Sequence, residues 1–358
     1  MKILLIQIKM IGDVLTTTLL ADALKKTYAD AVIHFLIMPS AEAVVRHHPS
    51  IDKLIFYDKN NGNFLHRNLN IATKVNSEKY DVVIDVYSKW SSAFLTKYSN
   101  AATRIGQYKP YLHFFYTHTK KNLKERVYDM PLAYSNRMQL LEPLHIPIDK
   151  KLHPKIKILE QEKTNMLTIC EANKLDFNRN VYIMINIFGS SPNKTYPPKY
   201  LAELLNQTAH ELPNMRYLLN YFPKQAKEVE QFLKFCTKNT QQKIDLFYRS
   251  DLREFIVLTS LCKAVIGNEG GAIHIGNALN LPTLAIFSPW VSRDAWGLEA
   301  EKTPHISLHL KDFCPQLYTN VSKKALLKNY HYYYEKLTPN LIFNRVFSFL
   351  SRINNLNN

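Results

Sequence analysis

The sequence predicts an α/β protein made of two Rossmann-like, doubly wound domains. Its 358 residues exceed what one hydrophobic core usually supports, and 46% hydrophobic with 21% charged residues is ordinary globular composition. Short apolar runs alternate with helical stretches in both halves, and such alternation implies parallel sheets. A polar, lysine-rich stretch over residues 152–179 separates the two series, so the domain boundary is placed there.

The first half opens with the apolar run 2–9, which lacks strict alternation and is therefore typical of a buried parallel strand. A helix is predicted from residue 11 to residue 26. The other predicted elements of this half are strands over 31–38, 53–57 and 80–86 and a helix that starts at Ser91 and Ser92. Together they form a first domain over residues 1–165.

The second half contains a similar series and is assigned to a second domain over residues 175–320. Asp251 and Glu254 have the spacing of a capping box, which predicts a helix over 252–262. The other predicted elements are strands over 181–187, 215–220, 243–247 and 264–266 and helices over 199–211 and 224–237. A tyrosine- and lysine-rich tail, 321–358, is predicted to be helical, with the first domain as a candidate surface for it to pack on.

Charge and composition limit the classes of partner and compartment. The net charge of +16 favours a polyanionic partner, and nucleic acid, anionic lipid and sugar nucleotides all qualify, although a merely solubilising surface is the alternative. No apolar run reaches the roughly 18 to 20 residues that cross a bilayer, and no cleavable signal pattern precedes the first strand, which predicts a cytoplasmic protein. The four cysteines are widely spaced and are expected to be reduced packing residues.

Glycines cluster in the second half. Four of the nine glycines, Gly267, Gly270, Gly271 and Gly276, fall within ten residues. A strand that runs into paired glycines and then a helix exposes backbone N–H groups at the positive end of the helix dipole, which favours phosphate binding. The alternative is a tight turn without a ligand, because glycine is also the default residue for positive φ angles.

Two polar residues stand in the same turn. Glu269 is a candidate acceptor of hydrogen bonds from ribose or sugar hydroxyls, and His274 is a candidate to face the phosphates. A lone histidine is more often a satisfied core residue, and that interpretation of His274 stays open.

Two further segments supply candidate site residues. Gly12 and Asp13 open the first helix, where Asp13 either stabilises the helix start or takes a proton from an attacking hydroxyl. The polar segment 188–198 offers Ser190 and Lys194 as substrate-binding residues, and Lys194 is suited to neutralise a departing diphosphate. An ordinary solvated lysine is the alternative in a chain with 46 basic residues.

Several motifs are absent from the sequence. It contains no Asp-x-Asp pair that would chelate a metal-bound nucleotide, no Gly-x-Gly-x-x-Gly after the first strand and no Walker loop. Metal-dependent transfer, dinucleotide redox chemistry and ATP hydrolysis are therefore disfavoured, and neither a metal nor a cofactor is predicted.

Taken together, the segments resemble the ADP-heptose:lipopolysaccharide heptosyltransferases, glycosyltransferase family 9. The resemblance is carried by the start Met-Lys-Ile-Leu-Leu-Ile…Ile-Gly-Asp-Val over 1–14, by Tyr-Asp-Val-Val-Ile-Asp over 80–85 and Arg-Ile-Gly over 104–106, and by Gly-Asn-Glu-Gly-Gly-Ala-Ile-His over 267–274 with the run that ends in Ser-Pro at 289.

The resemblance implies a GT-B fold with two domains facing a central cleft, the first binding the acceptor and the second a nucleotide sugar such as ADP-heptose. It also implies inversion at the anomeric carbon without a metal, Asp13 as general base, Lys194 on the phosphates, and Glu269, Gly270, Gly271 and His274 on the nucleotide. The expected acceptor is a lipid-linked saccharide at the cytoplasmic face of the inner membrane, where anionic headgroups suit the positive charge. No nucleic-acid partner is expected.

Some positions differ from the usual family pattern and leave the donor nucleotide and sugar open. Glu269 stands where Asp is common, Gly270 where Ser or Thr is common, and Gln225 where a ribose-binding Glu is expected. Ser-Pro-Trp over 288–290 replaces Gly-Pro-Thr, and Lys-Thr-Tyr over 194–196 stands where Lys-Arg-Trp is frequent.

Three other functions fit parts of the pattern. A sugar-nucleotide epimerase or hydrolase of the same fold would turn over donor without acceptor. A non-catalytic module would bind nucleotide regardless of Asp13. A nucleic-acid-binding protein would bind DNA or RNA in a salt-sensitive manner, but the basic residues are scattered and no recognised nucleic-acid motif is present.

Overall fold

The structure is a computed structural model that describes residues 1–58, 64–128, 130–297 and 304–355. It divides into two compact units, Met1–Lys157 and Ile158–Asn358, and each is an α/β unit with a six-stranded parallel sheet. Both sheets have the same strand order, so the predicted pair of doubly wound domains is confirmed.

The first unit has the sheet order β3-β2-β1-β4-β5-β6. Its strands are β1 (Lys2–Ile6), β2 (Val32–Ile37), β3 (Lys53–Phe56), β4 (Val82–Asp85), β5 (Thr103–Gln107) and β6 (His118–Lys120). Its helices are α1 (Ile11–Thr27), α2 (Glu42–Val45), α3 (Phe64–Ser77), α4 (Trp90–Tyr98) and α5 (Leu132–Met138). The strand order reverses between β1 and β4, and ligands of such sheets bind beyond the carboxyl ends of the strands at this point.

The second unit repeats this topology with the order β12-β11-β10-β7-β8-β9. Its strands are β7 (Val181–Asn186), β8 (Met215–Asn220), β9 (Ile244–Asp245), β10 (Ala264–Asn268), β11 (Thr283–Ile286) and β12 (His305–Leu308). Its helices are α6 (Glu160–Ala172), α7 (Pro198–Glu211), α8 (Ala226–Phe235), α9 (Lys238–Gln242), α10 (Leu252–Leu261), α11 (Gly271–Ala278), α12 (Arg293–Trp296), α13 (Lys323–Lys328), α14 (Tyr330–Lys336) and α15 (Pro339–Asn355). The reversal here lies between β7 and β10.

The central strands form because their side chains are apolar on both faces. In β1, Ile3 to Ile6 are completely buried, and β7 is buried along its whole length. A parallel strand covered by helices on both sides requires this continuous apolar run. Helix α1 is buried on most of its surface, and its buried threonines satisfy their hydroxyls by donating to backbone carbonyls one turn earlier, as Thr17 does to Asp13 at 2.7 Å.

The boundary, between residues 157 and 158, lies near the start of the predicted stretch 152–179. Helix α6 packs against α10, where the buried Arg253 donates two hydrogen bonds of 2.7 Å to the carboxylate of Glu162. Residues 158–165, predicted to end the first domain, therefore belong to the second unit. The sequence carries no signal for this choice, because a linker helix can pack on either neighbour.

The tail is helical, as predicted, and packs within the second unit. Helix α15 lies against α7 and buries Ile342, Val346 and Phe349 in the core of the second sheet. Tyr196 is completely buried, and its hydroxyl donates to the carbonyl of Leu337 at 2.7 Å. The sequence offered the first domain as a surface for the tail, whereas these contacts lie on the second. Residues 356–358 lie outside the described residues.

Two local predictions differ in detail. The carboxylate of Asp251 accepts from the Glu254 N–H at 3.0 Å, but the carboxylate of Glu254 pairs with Arg249, so only half of the predicted capping box is present. The predicted strand 243–247 is reduced to Ile244–Asp245. The cysteines are free, and Cys170, Cys236 and Cys262 are buried packing residues as expected. Within the described ranges, no helix combines the length and apolarity needed to cross a bilayer.

A buried carboxyl group in the first unit makes stability depend on pH. Asp85 is completely buried, accepts from the Ser88 N–H at 2.8 Å and from the Tyr116 hydroxyl at 2.7 Å, and burial raises its pKa to about 6. The unfolded chain releases this proton near pH ~4, so the folded state binds more protons between the two values. Stability contributed by this group therefore falls as the pH rises from about 4 to about 6.

We expect Asp85→Asn to remove this dependence. Urea unfolding at several pH values should show that the free energy of unfolding of the wild-type protein falls by about 2–3 kcal/mol relative to that of the variant between about pH 4 and about pH 6. Asp52→Asn is the matched control: burial favours a raised pKa, but the Ile33 N–H and Lys25 outweigh it and lower the pKa of Asp52. The free energy of unfolding of Asp52→Asn should approach that of the wild-type protein only at more acidic pH, where Asp52 itself becomes protonated. Parallel curves for wild type and Asp85→Asn would contradict the prediction.

Candidate active site

The turn between β1 and α1 places Asp13 at the carboxyl end of the first sheet. Met10 precedes the helix with φ of 73°, a left-handed value that is uncommon for a residue with a side chain. Gly12 is buried in the first turn, and its carbonyl accepts from the Thr16 hydroxyl at 2.9 Å. The side chain of Asp13 is 29% exposed and lies at the point where the strand order reverses.

The carboxylate of Asp13 pairs with an arginine that no motif in the sequence indicates. Arg137 on α5 donates from Nη2 to Asp13 Oδ1 at 2.5 Å and from Nη1 to the Ala133 carbonyl at 2.6 Å. Burial lowers the pKa of the Arg137 guanidinium, and Asp13 opposes this shift. The ion pair fixes the direction of the carboxylate while leaving it partly exposed.

The glycine turn of the second unit follows β10 and contains glycines with different roles. A Cβ on Gly267 would lie 2.2 Å from the carbonyl oxygen of Asn186, and one on Gly276 would lie 2.7 Å from Val265 Cγ2. Both glycines therefore permit close packing inside the fold. A Cβ on Gly270 would meet nothing within 4 Å. Gly270, with φ of 153°, therefore stands beside open space directly before α11, which begins at Gly271.

Three predicted side chains converge beside this turn. Glu269 is only 6% exposed, with its Oε2 atom 3.5 Å from Lys194 Nζ and its Oε1 atom 3.8 Å from His274 Nε2. Burial favours a raised pKa of the Glu269 carboxyl, but His274 and Lys194 outweigh burial and hold that pKa below its usual range. Glu269 is therefore an ionised hydrogen-bond acceptor, and Lys194 is a cation held near the start of α11.

The loop that carries Lys194 is fixed to the sheet. Asn268, at the end of β10, donates to the Ile187 carbonyl at 2.7 Å and accepts from the Tyr196 N–H at 2.6 Å. A Cβ on Gly189 would lie 2.1 Å from the Lys194 carbonyl oxygen, so the loop closes tightly on itself. Ser190, in the same loop, is exposed. Neither the bonds of Asn268 nor the close approach at Gly189 can be read from sequence spacing.

Trp290 supports the lysine. The ammonium of Lys194 lies 5.4 Å from the centroid of the Trp290 ring, that of Lys323 lies 5.3 Å from it, and the indole N–H donates to the Asn193 carbonyl at 3.0 Å. Cation–π contacts of this kind hold a cation without neutralising it. The only sequence signal for Trp290 was its departure from the usual Gly-Pro-Thr pattern.

The remaining polar residues of this face have local partners. The ring of His274 lies 4.8 Å from that of Trp296, and both line a small pocket between α11, β11 and β12. The carboxamide oxygen of Gln225 accepts from the Phe222 N–H at 2.8 Å and so stabilises its own turn.

Among the described residues, no three His, Cys, Asp or Glu side chains form a group that could hold a metal ion.

Known proteins share both the sequence pattern and this fold. The model of glycosyltransferase family 9 (heptosyltransferase) matches residues 69–324. Lipopolysaccharide heptosyltransferase 1 of Campylobacter coli is 25% identical over 332 residues, which cover 88% of this chain and 94% of that protein.

Two solved structures have the same fold. The family 9 glycosyl transferase of Veillonella parvula has a TM-score of 0.83 at 19% identity, covering 98% of this chain and 97% of that one. The heptosyltransferase WaaC of E. coli with ADP-2-deoxy-2-fluoro heptose has a TM-score of 0.66 at 15% identity, covering 86% and 93%. The chain is therefore a glycosyltransferase of the GT-B fold and belongs to glycosyltransferase family 9, the heptosyltransferase family.

Proposed function

We propose that this protein is an inverting, metal-independent glycosyltransferase that moves heptose or a related sugar from a nucleotide diphosphate, such as ADP-heptose, to a lipopolysaccharide-core saccharide. The observation that carries the proposal is the convergence of Lys194, Glu269 and His274 beside the open turn at Gly270. The E. coli structure of this fold that holds ADP-2-deoxy-2-fluoro heptose supports a nucleotide-sugar donor.

The second unit supplies the donor chemistry. Backbone N–H groups at the start of α11 suit the phosphates because they lie at the positive end of the helix dipole. Lys194 adds a full positive charge, which stabilises the diphosphate as its negative charge grows in the transition state. Glu269 accepts hydrogen bonds from ribose or sugar hydroxyls, since its neighbours hold it in the ionised form.

The first unit supplies the acceptor chemistry. An acceptor hydroxyl attacks the anomeric carbon, its proton passes to Asp13, and the bond from that carbon to the diphosphate breaks with the electron pair leaving on the phosphate oxygen. One displacement of this kind inverts the anomeric configuration. Arg137 orients the carboxylate, and its bond to Oδ1 leaves Oδ2 as the atom that takes the proton.

We also propose that the protein works in the cytoplasm, at the inner face of the inner membrane. The family's acceptors are lipid-linked, and the net charge of +16 suits an anionic surface. Neither a metal nor a nucleic acid has a part in the proposed reaction.

The test is transfer from a panel of nucleotide sugars to lipopolysaccharide-core saccharides, measured with and without EDTA. We expect one donor to be consumed at equal rates under both conditions and the product to have the opposite anomeric configuration. Donor turnover without acceptor would favour the epimerase or hydrolase reading. Nucleotide binding without any turnover would favour a non-catalytic module.

Arg137 is expected to act as a positioning residue in this reaction. Arg137→Gln should lower kcat by about tenfold to a hundredfold, because Asp13 loses the donor that fixes its direction. The donor KM should stay unchanged, and Arg137→Lys should restore part of kcat, since an ammonium can still reach the carboxylate. Steady-state kinetics checks both points. Equal loss in the glutamine and lysine variants would mean that Arg137 serves the packing of α5 only.

A further inference from the structure

An aromatic patch lies on the first unit, outside the residues assigned to the reaction. It consists of Trp90, Tyr108, Tyr111, Phe114 and Phe115, which lie in the segments that follow β4 and β5. Trp90 is 56% exposed, Phe114 is 58% exposed and Tyr111 is 50% exposed. Isolated exposed apolar residues are normal, but a contiguous group marks an interaction surface.

Ring contacts make the patch continuous. The centroid of Trp90 lies 5.9 Å from those of Tyr111 and Phe115, and Phe115 lies 4.4 Å from Phe114. His113 lies 6.0 Å from both Phe114 and Tyr108 and connects them. The exposed rings therefore form one surface and not separate side chains.

The patch stands on a buried base. Leu112 is completely buried, and it forms a small core with Ala93 and Tyr116, against which Phe115 packs. The hydroxyl of Tyr116 donates to the buried Asp85 at 2.7 Å, which fixes the loop to the end of β4. The loop that carries the rings is thus anchored to the core of the first unit.

The charged residues of the segment that carries the patch have one sign. From residue 86 to residue 124 the sequence contains no Asp or Glu, and it contains Lys89, Lys97, Arg104, Lys109, Lys120, Lys121 and Lys124. One of the seven, Lys120, forms an ion pair with Glu142 from outside the segment. Lys89 precedes Trp90 and is exposed, and the ammonium of Lys121 lies 5.3 Å from the centroid of the Tyr108 ring.

We propose that the aromatic patch and its lysines are the surface by which this protein docks on an anionic lipid bilayer. Trp and Tyr rings favour the boundary between headgroups and acyl chains, and lysines beside them attract anionic headgroups. The inference rests on the proposed function, because an enzyme with a lipid-linked acceptor has to bind at the membrane surface.

The test uses the full chain and co-sedimentation with vesicles of phosphatidylcholine, alone or mixed with phosphatidylglycerol. Binding is expected only to the mixed vesicles, and added salt should weaken it. The double variant Trp90→Ser/Phe114→Ser should lower the apparent affinity by roughly tenfold for each ring. Lys89→Gln/Lys121→Gln should lower it by about fivefold for each lysine.

A matched control exists on α8 of the second unit. Phe235 and Lys234 are also an exposed ring and an exposed lysine, so Phe235→Ser/Lys234→Gln should leave vesicle binding unchanged. Acyl chains carrying bromine should quench tryptophan fluorescence in the wild-type protein, and Trp90→Phe should abolish that quenching, although Trp290 and Trp296 remain. This readout reports insertion of the patch and not loss of fold.

Several outcomes would overturn the proposal. They are the absence of binding to mixed vesicles, binding that is unaffected by both patch variants, and a patch whose variants lose affinity for single-stranded nucleic acid instead. Slower transfer to a soluble, lipid-free core saccharide in the patch variants would make the patch an acceptor platform. If vesicle binding follows the prediction but the wild type transfers no sugar, the proposed function fails and the docking surface stands.

Discussion

Replacing Asp13 by asparagine should lower kcat for sugar transfer by about 10²–10⁴-fold, with donor affinity unchanged. The carboxamide oxygen still accepts the hydrogen bond from Arg137, so the side chain keeps its position and loses only its ability to take a proton. Single-turnover transfer with saturating donor measures the rate of the chemical step. Equilibrium titration with the nucleotide diphosphate separately measures the affinity of the second unit for the nucleotide.

Asp149→Ala is the matched control for this experiment. Asp149 pairs with Lys26 at the opposite end of α1 at 2.8 Å, so its loss removes an exposed acidic contact to the same helix without touching the proposed base. Its kcat should equal that of the wild-type protein. If the Asp13→Asn protein transfers sugar at the wild-type rate, Asp13 is not the general base, and its role is to stabilise the first turn of α1.

Replacing Lys194 by alanine should lower kcat by about 10²–10³-fold, because the departing diphosphate loses the charge that stabilises it. Lys194→Arg should keep most of the rate, since a guanidinium also pairs with Glu269 and stacks on Trp290. The loss of kcat in the alanine variant should be smaller for donors that have a more acidic leaving group. A comparison of kcat across such donors would show whether the lysine acts on the leaving group.

Lys199→Ala is the control for Lys194. Lys199 is an exposed lysine five positions later, at the start of α7. Its removal should leave transfer unchanged. If both lysine variants lose activity equally, the effect comes from the positive field of this face and not from a contact to the phosphates.

The sequence predicted the elements and two segments of the site because those features are local. Buried parallel strands are continuous apolar runs, and the paired glycines mark the turn before α11. Lys194, Glu269 and His274 lie close together because each follows a strand that ends at the same edge of the second sheet. In each case a residue's neighbours in the chain determine where it lies.

What the sequence did not show depends on distant partners. Arg137 reaches Asp13 across 124 positions, and only the packing of α5 on α1 brings them together. The carboxylate of Glu254 pairs with Arg249 instead of completing the capping box, because an ion pair competes for it. The placement of α6 depends on its packing against α10, and that of the tail on the packing of α15 against α7, and no local pattern records either.

The tail contacts the proposed leaving-group site through two connections described above. The hydroxyl of Tyr196, two positions after Lys194, donates to Leu337, and Lys323 shares the Trp290 ring with Lys194. A chimaera that exchanges donor-binding halves between family members should therefore be joined between residues 157 and 158 and should carry residues 321–355 from the same parent. A graft that ends near residue 320 would combine the loop that carries Lys194 from one protein with the tail residues that contact this loop from another.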